Sequence, residues 1–502
     1  MQNFRDFLKE KHKDINVLNK KFGTVFWGMD FDSFDQINPP LKSIEYGGSE
    51  QIDMYYDNPG IRLDWERNGS AAYVNFINNQ IKAIREHDKR RITTNSTGTG
   101  TNAINYYEAY ENLDVYAYDV YPGMRCDKEP YYCFSTAFAR GIKDKPFWIV
   151  ECASGGGHGL WGKSGIPHPQ PGTLKHEAIF AFANGAELFT HFQFATFPYG
   201  AEQLDGAILD VDNKPRRRYY ELKDTAAEIK ELEEILTKSE IVSDIAIMID
   251  YDSYWALKIK PVNGGMTHFS LATHLYDRLK RSFCNIDVVS KDADISKYKT
   301  VILPAFSVTT EEFSEKIKEY VKNGGTLIST FLTSFKNVDN TAHKQSFPAY
   351  MNDLFGIEVS EYEPVYENME SEIILKNGKT AKNDIWTESL MLKGAEEIAA
   401  YNDTFRKGET VMTVNNYGSG KAYYIGTSLE NEAMAEFLND ITVSDYRIKT
   451  GESVECVLRK CGDDYYLFVF NFSQSEVKIK KEDLGISTDL TIEGKGYRII
   501  KK

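Results

Sequence analysis

No run of 18 apolar residues occurs anywhere in the 502 positions. That excludes a membrane-spanning helix of ordinary length. The first residues, Met1-Gln2-Asn3-Phe4-Arg5, lack the apolar stretch of a secretory leader, so the cytoplasm is the expected location. Cysteine is sparse. The six are scattered with no C-x-x-C pair, so neither a disulfide framework nor a zinc knuckle is expected. Positive charge is in deficit, with 59 Lys and Arg against 74 Asp and Glu and a net charge of −15. Nonspecific nucleic-acid binding needs clustered cations, and the one compact basic run, Arg216-Arg217-Arg218, is too short to supply it. No H-E-x-x-H motif is present, and His158, His168, His176 and His191 follow one another at spacings of 10, 8 and 15. These match no helical metal-ligand pair. Ser154 lacks the G-x-S-x-G elbow of a serine hydrolase. Gly324-Gly325 precedes a strand instead of joining a strand to a helix, so the dinucleotide fingerprint fails. No metal and no cofactor is expected.

What is present is ordinary globular composition, 42% hydrophobic and 26% charged, with a length that calls for two or three domains. Aromatics are plentiful at 13%, which suits hydrophobic cores and also sugar rings. The chain is organised around Pro146-Phe147-Trp148-Ile149-Val150-Glu151 and the loop Cys152-Ala153-Ser154-Gly155-Gly156-Gly157. An apolar run of this length reads as a buried strand. Glutamate is depleted in strands, and the carboxyl ends of strands in α/β folds are where ligands are met. A strand-ending Glu that only forms a salt bridge is the plain alternative.

Around that stretch one unit repeats. Residues 2–20 read as a helix, and Asp57-Asn58-Pro59-Gly60 as a turn. Val74, Ile77, Ile81 and Ile84 mark an amphipathic helix. Then come strand 91–95, helix 103–112, strand 115–118, helix 131–141, strand 146–151, helix 173–186, strand 188–194 and a charged helix over 217–236. Four strand–helix units carry Asn95, Asp119, Glu151 and Gln193 or Glu202 at or beyond their tips. This is the pattern of a barrel that gathers its chemistry at one face. A full barrel takes eight strands and about 250 residues, and only four strands are legible. Near 240 the pattern restarts as a three-layer parallel α/β domain, with strands at 245–249, 286–289, 300–304 and 324–328 and a last strand at 421–425. Residues 451–502 read as a small antiparallel β module.

Glu151, Glu202 and Asp119 are candidate carboxylates on one barrel face. Glycoside hydrolysis uses a pair of carboxyl groups, one serving as nucleophile in a retaining enzyme and the other as acid/base. Trp27, Trp161, Phe197 and Tyr199 offer aromatic surface for a pyranose, and Asn95, Asp119 and Gln193 offer hydrogen bonds to hydroxyls. Core packing is an equal reading of each aromatic alone.

The sequence resembles the glycoside hydrolase family 42 β-galactosidases. The resemblance is carried by Phe22-Gly23-Thr24-Val25-Phe26-Trp27, Asn58-Pro59-Gly60, Leu63-Asp64-Trp65, Thr93-Thr94-Asn95, Tyr118-Asp119 with Tyr121-Pro122-Gly123, the stretch ending at Glu151, and Gly200-Ala201-Glu202-Gln203. It implies hydrolysis of terminal β-D-galactosides with retention, with Glu151 as nucleophile. Glu202 and Trp161 would bind substrate, and Asn95 and Asp119 would lie beside it. It also implies a C-terminal half of a (β/α)8 TIM barrel over 1–238. A glutamine-amidotransferase-like three-layer α/β domain that builds a homotrimer follows over 239–445, and a small antiparallel β domain over 446–502. Members often carry His where this chain has Asp205 and Arg where it has Gln193.

In the family the acid/base is a Glu in an Asn-Glu pair at the end of the fourth barrel strand, ahead of the segment matching Met1. About 125 residues, half a barrel, are therefore expected to be missing. The one Asn-Glu pair here, Asn431-Glu432, reads as helix capping and surface charge. Two expectations follow: descent from a retaining β-galactosidase, and near inactivity of the chain alone, because a nucleophile without its acid cannot expel a poor leaving group. The alternatives are a non-catalytic carbohydrate-binding or oligomerisation remnant, and a related glycosidase acting on α-L-arabinosides or β-fucosides.

Overall fold

The computed structural model describes residues 2–40, 58–96, 104–122, 129–157, 167–262, 266–366, 371–403 and 405–502. The expected helix over 2–20 is two helices, α1 (Gln2–His12) and α2 (Ile15–Phe22). Lys13 takes a positive φ, and the Asp14 carboxylate accepts from Asn16 N at 2.7 Å, capping the second helix. The expected turn at Asn58-Pro59-Gly60 instead starts a 27-residue helix, α3 (Pro59–Arg85). Asn58 Oδ1 caps it, accepting from Gly60 N at 2.9 Å, and Pro59 fills the first position, where no amide is needed.

Four parallel strands follow: β1 (Asn95–Ser96), β2 (Ala117–Asp119), β3 (Phe147–Glu151) and β4 (Ala186–Phe189), paired in that order. They alternate with α4 (Tyr106–Ala109), α5 (Pro130–Lys143) and α6 (Thr173–Ala183), and α7 (Arg217–Lys238) closes the series. Phe147 and Ile149 are wholly buried, whereas Trp148 and Val150, which point the other way, are half-buried. Trp148 Nε1 donates to Glu187 Oε2 at 3.0 Å, and the Arg91 guanidinium lies 5.2 Å over its ring while pairing with Glu187 at 2.6 Å. This is a partial barrel-like sheet whose strands are shorter than their sequence pattern suggests.

After β5 (Glu240–Ile241), a second sheet begins with β6 (Ile245–Ile249), β7 (Asp287–Ser290), β8 (Thr300–Leu303) and β9 (Thr326–Thr330). They are parallel, in the order β9-β8-β6-β7. The sheet is not wholly parallel, as the sequence suggested. Among the described residues it has eleven strands, and antiparallel segments between Ile357 and Leu429 continue it. Gly420–Ile425 joins the two halves, lying parallel to β9 and antiparallel to Thr410–Tyr417. Glu388 is buried in this extension and accepts from Leu332 N at 2.8 Å, Tyr424 Oη at 2.8 Å and Trp386 Nε1 at 3.1 Å. Burial outweighs these three donors and raises its carboxyl to about 7. Asn431-Glu432 does begin a helix (Asn431–Ile441), but it makes no side-chain cap. Asn431 instead accepts from Arg278, and Glu432 pairs with Arg281 at 2.6 Å.

The C-terminal segment forms a hairpin, Val454–Cys461 with Asp464–Asn471, in a four-stranded antiparallel sheet. Its outer members are Tyr497–Lys501 and, from far earlier in the chain, β5. Arg459 on this hairpin is buried. It donates to Ala183 O (2.8 Å) at the end of α6, and to Leu236 O (2.8 Å), Ser239 O (2.7 Å) and Ser239 Oγ (2.7 Å) at the end of α7. The three carbonyls are helix-terminal groups with no partner inside their own helices, and the Ser239 hydroxyl, which itself bonds back to Ile235 O, is the fourth acceptor. Among the described residues no helix is long and apolar enough to cross a membrane.

Two outcomes are expected. R459A strands several buried carbonyls and should lower unfolding free energy by about 3 kcal/mol, read as a lower urea midpoint at unchanged slope; an unmoved midpoint refutes the capping role. Because the folded pKa of Glu388 is raised, the wild type binds the extra proton when folded, so its stability relative to E388Q should fall as pH rises from 4.5 to 7 and then stay level. Denaturation midpoints of both proteins across pH 4–9 check this, and a constant difference counts against it.

Candidate active site

Glu151 is the last residue of β3, half-buried and beside Asp119 at the end of β2. A register shift between Tyr118 and Asp119 places Asp119 opposite Glu151. Val120 N then donates to Glu151 O at 2.9 Å, holding the backbone at the tip. Asp119 is buried. Tyr121 Oη, two residues on, donates to Glu151 Oε2 at 2.7 Å. Partial burial and this bond to a carboxylate push the phenol well above its usual range, so Tyr121 stays a donor. From sequence, Tyr121 entered only as part of the motif Tyr121-Pro122-Gly123 and was given no role at the site. A tyrosine two places beyond a strand-ending aspartate was the available signal.

The loop after Glu151 is held by backbone pairing. Phe192 N donates to Cys152 O at 2.8 Å, and Ser154 N to Phe192 O at 3.1 Å. Ser154 Oγ donates to Phe192 O and Gln193 O, both at 3.1 Å. This hydroxyl braces the loop, in keeping with the missing serine-hydrolase elbow. The Phe192–Gln193 peptide is cis, and Gln193 is buried. His191 is pushed down to about 4 by burial, so it is neutral at physiological pH.

Glu202 lies on the long loop between β4 and α7, and glycines bring that loop onto the one after Glu151. A Cβ on Gly206 would stand 2.1 Å from Gly156 O, and one on Gly155 would stand 2.5 Å from the Gly206 carbonyl carbon. The two backbones cross in contact, which a side chain at either position would prevent. Gly156 N donates to His168 Nδ1 at 2.9 Å, and Arg218 reaches that ring at 3.3 Å. Arg218 also donates to Ala207 O at 2.9 Å and Asp210 Oδ1 at 2.9 Å. The basic run thus ties down the Glu202 loop. Phe194, Phe197 and Tyr199 on this loop are exposed, as are Phe26 and Trp27 near the N-terminus.

Of the residues expected at the site, Glu151 and Asp119 sit together at neighbouring strand ends, and Glu202 is on the loop that crosses theirs. Asn95 opens β1, in register with Ala117 on β2, and its side chain lies outside the described residues. Trp161 and His158 fall outside them as well. Among the described residues no group of three or more His, Cys, Asp or Glu could hold a metal ion.

Behind β3 the loop leans on α6. Glu177 is buried, and its Oε2 accepts from Cys152 Sγ at 3.9 Å. Burial raises this carboxyl to about 8 against the opposing effect of Lys495.

Residues 1–232 match the family model described as beta-galactosidase, and residues 243–446 match that of the beta-galactosidase trimerisation domain. A β-galactosidase of Clostridium cellulovorans is 32% identical over 488 residues, covering 95% of this chain and 71% of its own length. One from Geobacillus kaustophilus is 27% identical, covering 99% and 72%. Among solved structures, the β-galactosidase of Bacillus circulans sp. alkalophilus superposes with a TM-score of 0.90 at 24% identity, covering all of this chain and 76% of that one. The enzyme of the haloarchaeon Halorubrum lacusprofundi gives 0.88 at 26%, covering all of this chain and 75% of that one. The strand-end carboxylates, the order of the two matched segments and the likeness over the whole length lead to one conclusion: this chain belongs to the glycoside hydrolase family 42 β-galactosidases.

Proposed function

We propose that the site performs the glycosylation and deglycosylation of a retaining β-galactosidase, with Glu151 as nucleophile. The observation that carries this is the carboxylate at the tip of β3, held by Tyr121 and flanked by Asp119 at the open end of the sheet. A Glu151 oxygen attacks C1 of a terminal β-D-galactoside. The C1–O bond to the aglycone breaks, and the aglycone leaves with a proton from the acid/base. Water then attacks C1, gives up a proton, and releases galactose with Glu151 restored. Tyr121 keeps one Glu151 oxygen hydrogen-bonded, which orients the other toward C1. Glu202, Asp119, Asn95 and Trp161 are assigned to substrate binding, and no cofactor takes part.

The acid/base is assigned to the barrel half that the relatives carry beyond the aligned span. The 502-residue chain alone is therefore expected to turn over activated aryl galactosides, whose leaving groups need little protonation, and to leave lactose nearly untouched. The division into a partial TIM-barrel domain (1–238), an amidotransferase-like domain (239–445) and a β domain (446–502) belongs to this proposal, as does a homotrimer built by the middle segment.

A 2,4-dinitrophenyl 2-deoxy-2-fluoro-β-D-galactoside should leave its sugar on Glu151, found by intact mass and peptide mapping. E151Q should remain unlabelled. A label on another carboxylate, or none, overturns the assignment; saturable galactose binding without labelling favours a carbohydrate-binding remnant. Y121F should slow labelling by about 10²-fold without changing the labelled residue, and a rate within twofold of wild type removes Tyr121 from the site. An aryl substrate panel including α-L-arabinosides and β-fucosides fixes the glycoside preference, and rapid lactose hydrolysis by the isolated chain would refute the assignment of the acid/base.

A further inference from the structure

Glu177 has no part in the chemistry above, yet it is buried directly behind the nucleophile. Its Oε2 accepts from the thiol of Cys152, the residue after Glu151. Cys152 is fully buried, and its carbonyl accepts from Phe192 N at 2.8 Å. The Glu177 main chain is anchored separately, its carbonyl accepting from Tyr132 Oη at 2.7 Å. Glu177 also lines a small cavity with Pro122, Glu129, Tyr132, Thr173 and Lys495. Pro122 follows Tyr121, the donor to Glu151. The carboxyl of Glu177 thus borders both segments that place the nucleophile: the strand end through Cys152 and the tyrosine loop through Pro122.

We propose that Glu177 is a positioning residue for Glu151, acting in its protonated form through Cys152, with Lys495 of the C-terminal segment as the charge that tunes it. This rests on the assignment of Glu151 as nucleophile. The charges that face Glu177 are Lys495, which favours its ionised form, and Glu129 and Glu221, which oppose it; the hydrogen bond from Cys152 also favours the ionised form, and burial outweighs both. His176 lies alongside and is held neutral by burial, and Tyr132 and the Cys152 thiol are pushed far above their usual ranges. Glu177 is therefore the group of this cluster that titrates near pH 8. Below that pH a neutral pair backs the strand end. Above it an anion is formed in a buried space one residue from Glu151; the single thiol donor draws toward it but cannot replace its hydration, so the strand end must rearrange or take in water.

The test follows labelling of Glu151 by the fluorosugar across pH 6–10, in parallel with amide exchange over residues 151–154, each exchange rate being divided by the intrinsic rate of an unprotected amide at that pH. In the wild type, labelling should slow above about pH 8, and exchange over 151–154 should rise over the same range. E177Q cannot ionise and keeps the shape, so both profiles should stay flat there. K495M removes the tuning charge and should move the wild-type limb to higher pH. E177A should label at least tenfold more slowly at every pH. Restoration of the rate by Gln but not by Ala separates a positioning carboxyl from bulk packing. An unchanged alkaline limb in E177Q, or E177A exchanging and labelling as the wild type does, overturns the proposal. If the label fails to appear on Glu151 in the wild type, the nucleophile assignment fails instead. The exchange profiles then decide the contact alone: wild-type exchange that does not change with pH, or E177Q that follows the wild type, refutes it.

Discussion

Buried helix ends must have partners for their last carbonyls, and in this molecule one guanidinium meets that demand for two helices at once. Arg459 reaches from the C-terminal hairpin to the ends of α6 and α7. Burial costs the guanidinium enough to push its pKa down to about 10, and five hydrogen bonds offset that cost. α6 carries Glu177, which touches Cys152 beside Glu151. The position of Glu151 is therefore set by a chain of contacts that begins in the C-terminal hairpin. A second buried hub, Asp64 with His12, Lys11 and Arg67, does the same for the N-terminal helices, and Arg67 extends it to Asp252 beyond β6 at 2.8 Å.

The four barrel strands were legible because parallel strands buried on a helical face are short, apolar and flanked by helical periodicity. Phe147 to Val150 could scarcely be anything else. The ends were misjudged where an alternating pattern continues past the pairing, as it does through Phe192 and Phe194 after Phe189. The antiparallel extension between Ile357 and Leu429 was not legible, because its strands carry charged residues on an open face; Glu361, Glu363 and Lys382 all lie within strands there. The turn Asn377-Gly378, with Gly378 at positive φ, was an overlooked hairpin signal. Helix α8 (Tyr251–Ile259) was missed because only Asp250 separates it from the apolar strand β6. That aspartate is its cap, accepting from Ser253 N at 2.7 Å.

At the site, Glu151 stood out because a carboxylate ending an apolar strand is costly without a purpose. Tyr121 did not, because tyrosine is common in this chain and its role depends on a register shift between β2 and β3 that no spacing rule gives. The crossing of the loops at Gly155 and Gly206 was equally invisible. Each glycine taken alone reads as a flexible point, and only their contact shows that both are needed for close approach.

The pairing of β5 with the C-terminal hairpin bears on how the chain acquires its structure during synthesis. Ser239 bonds a residue 220 positions later, and Ile241 pairs as a strand with Arg459. A nascent chain emerges from the ribosome in order, so the barrel-like segment and the whole second sheet are exposed well before that partner exists. The ends of α6 and α7 wait, with their carbonyls in water, until Arg459 emerges, 220 positions after Ser239. The loop after Glu151 thus emerges long before the arginine that anchors its supporting helix, and whatever guards the growing chain must tolerate that interval.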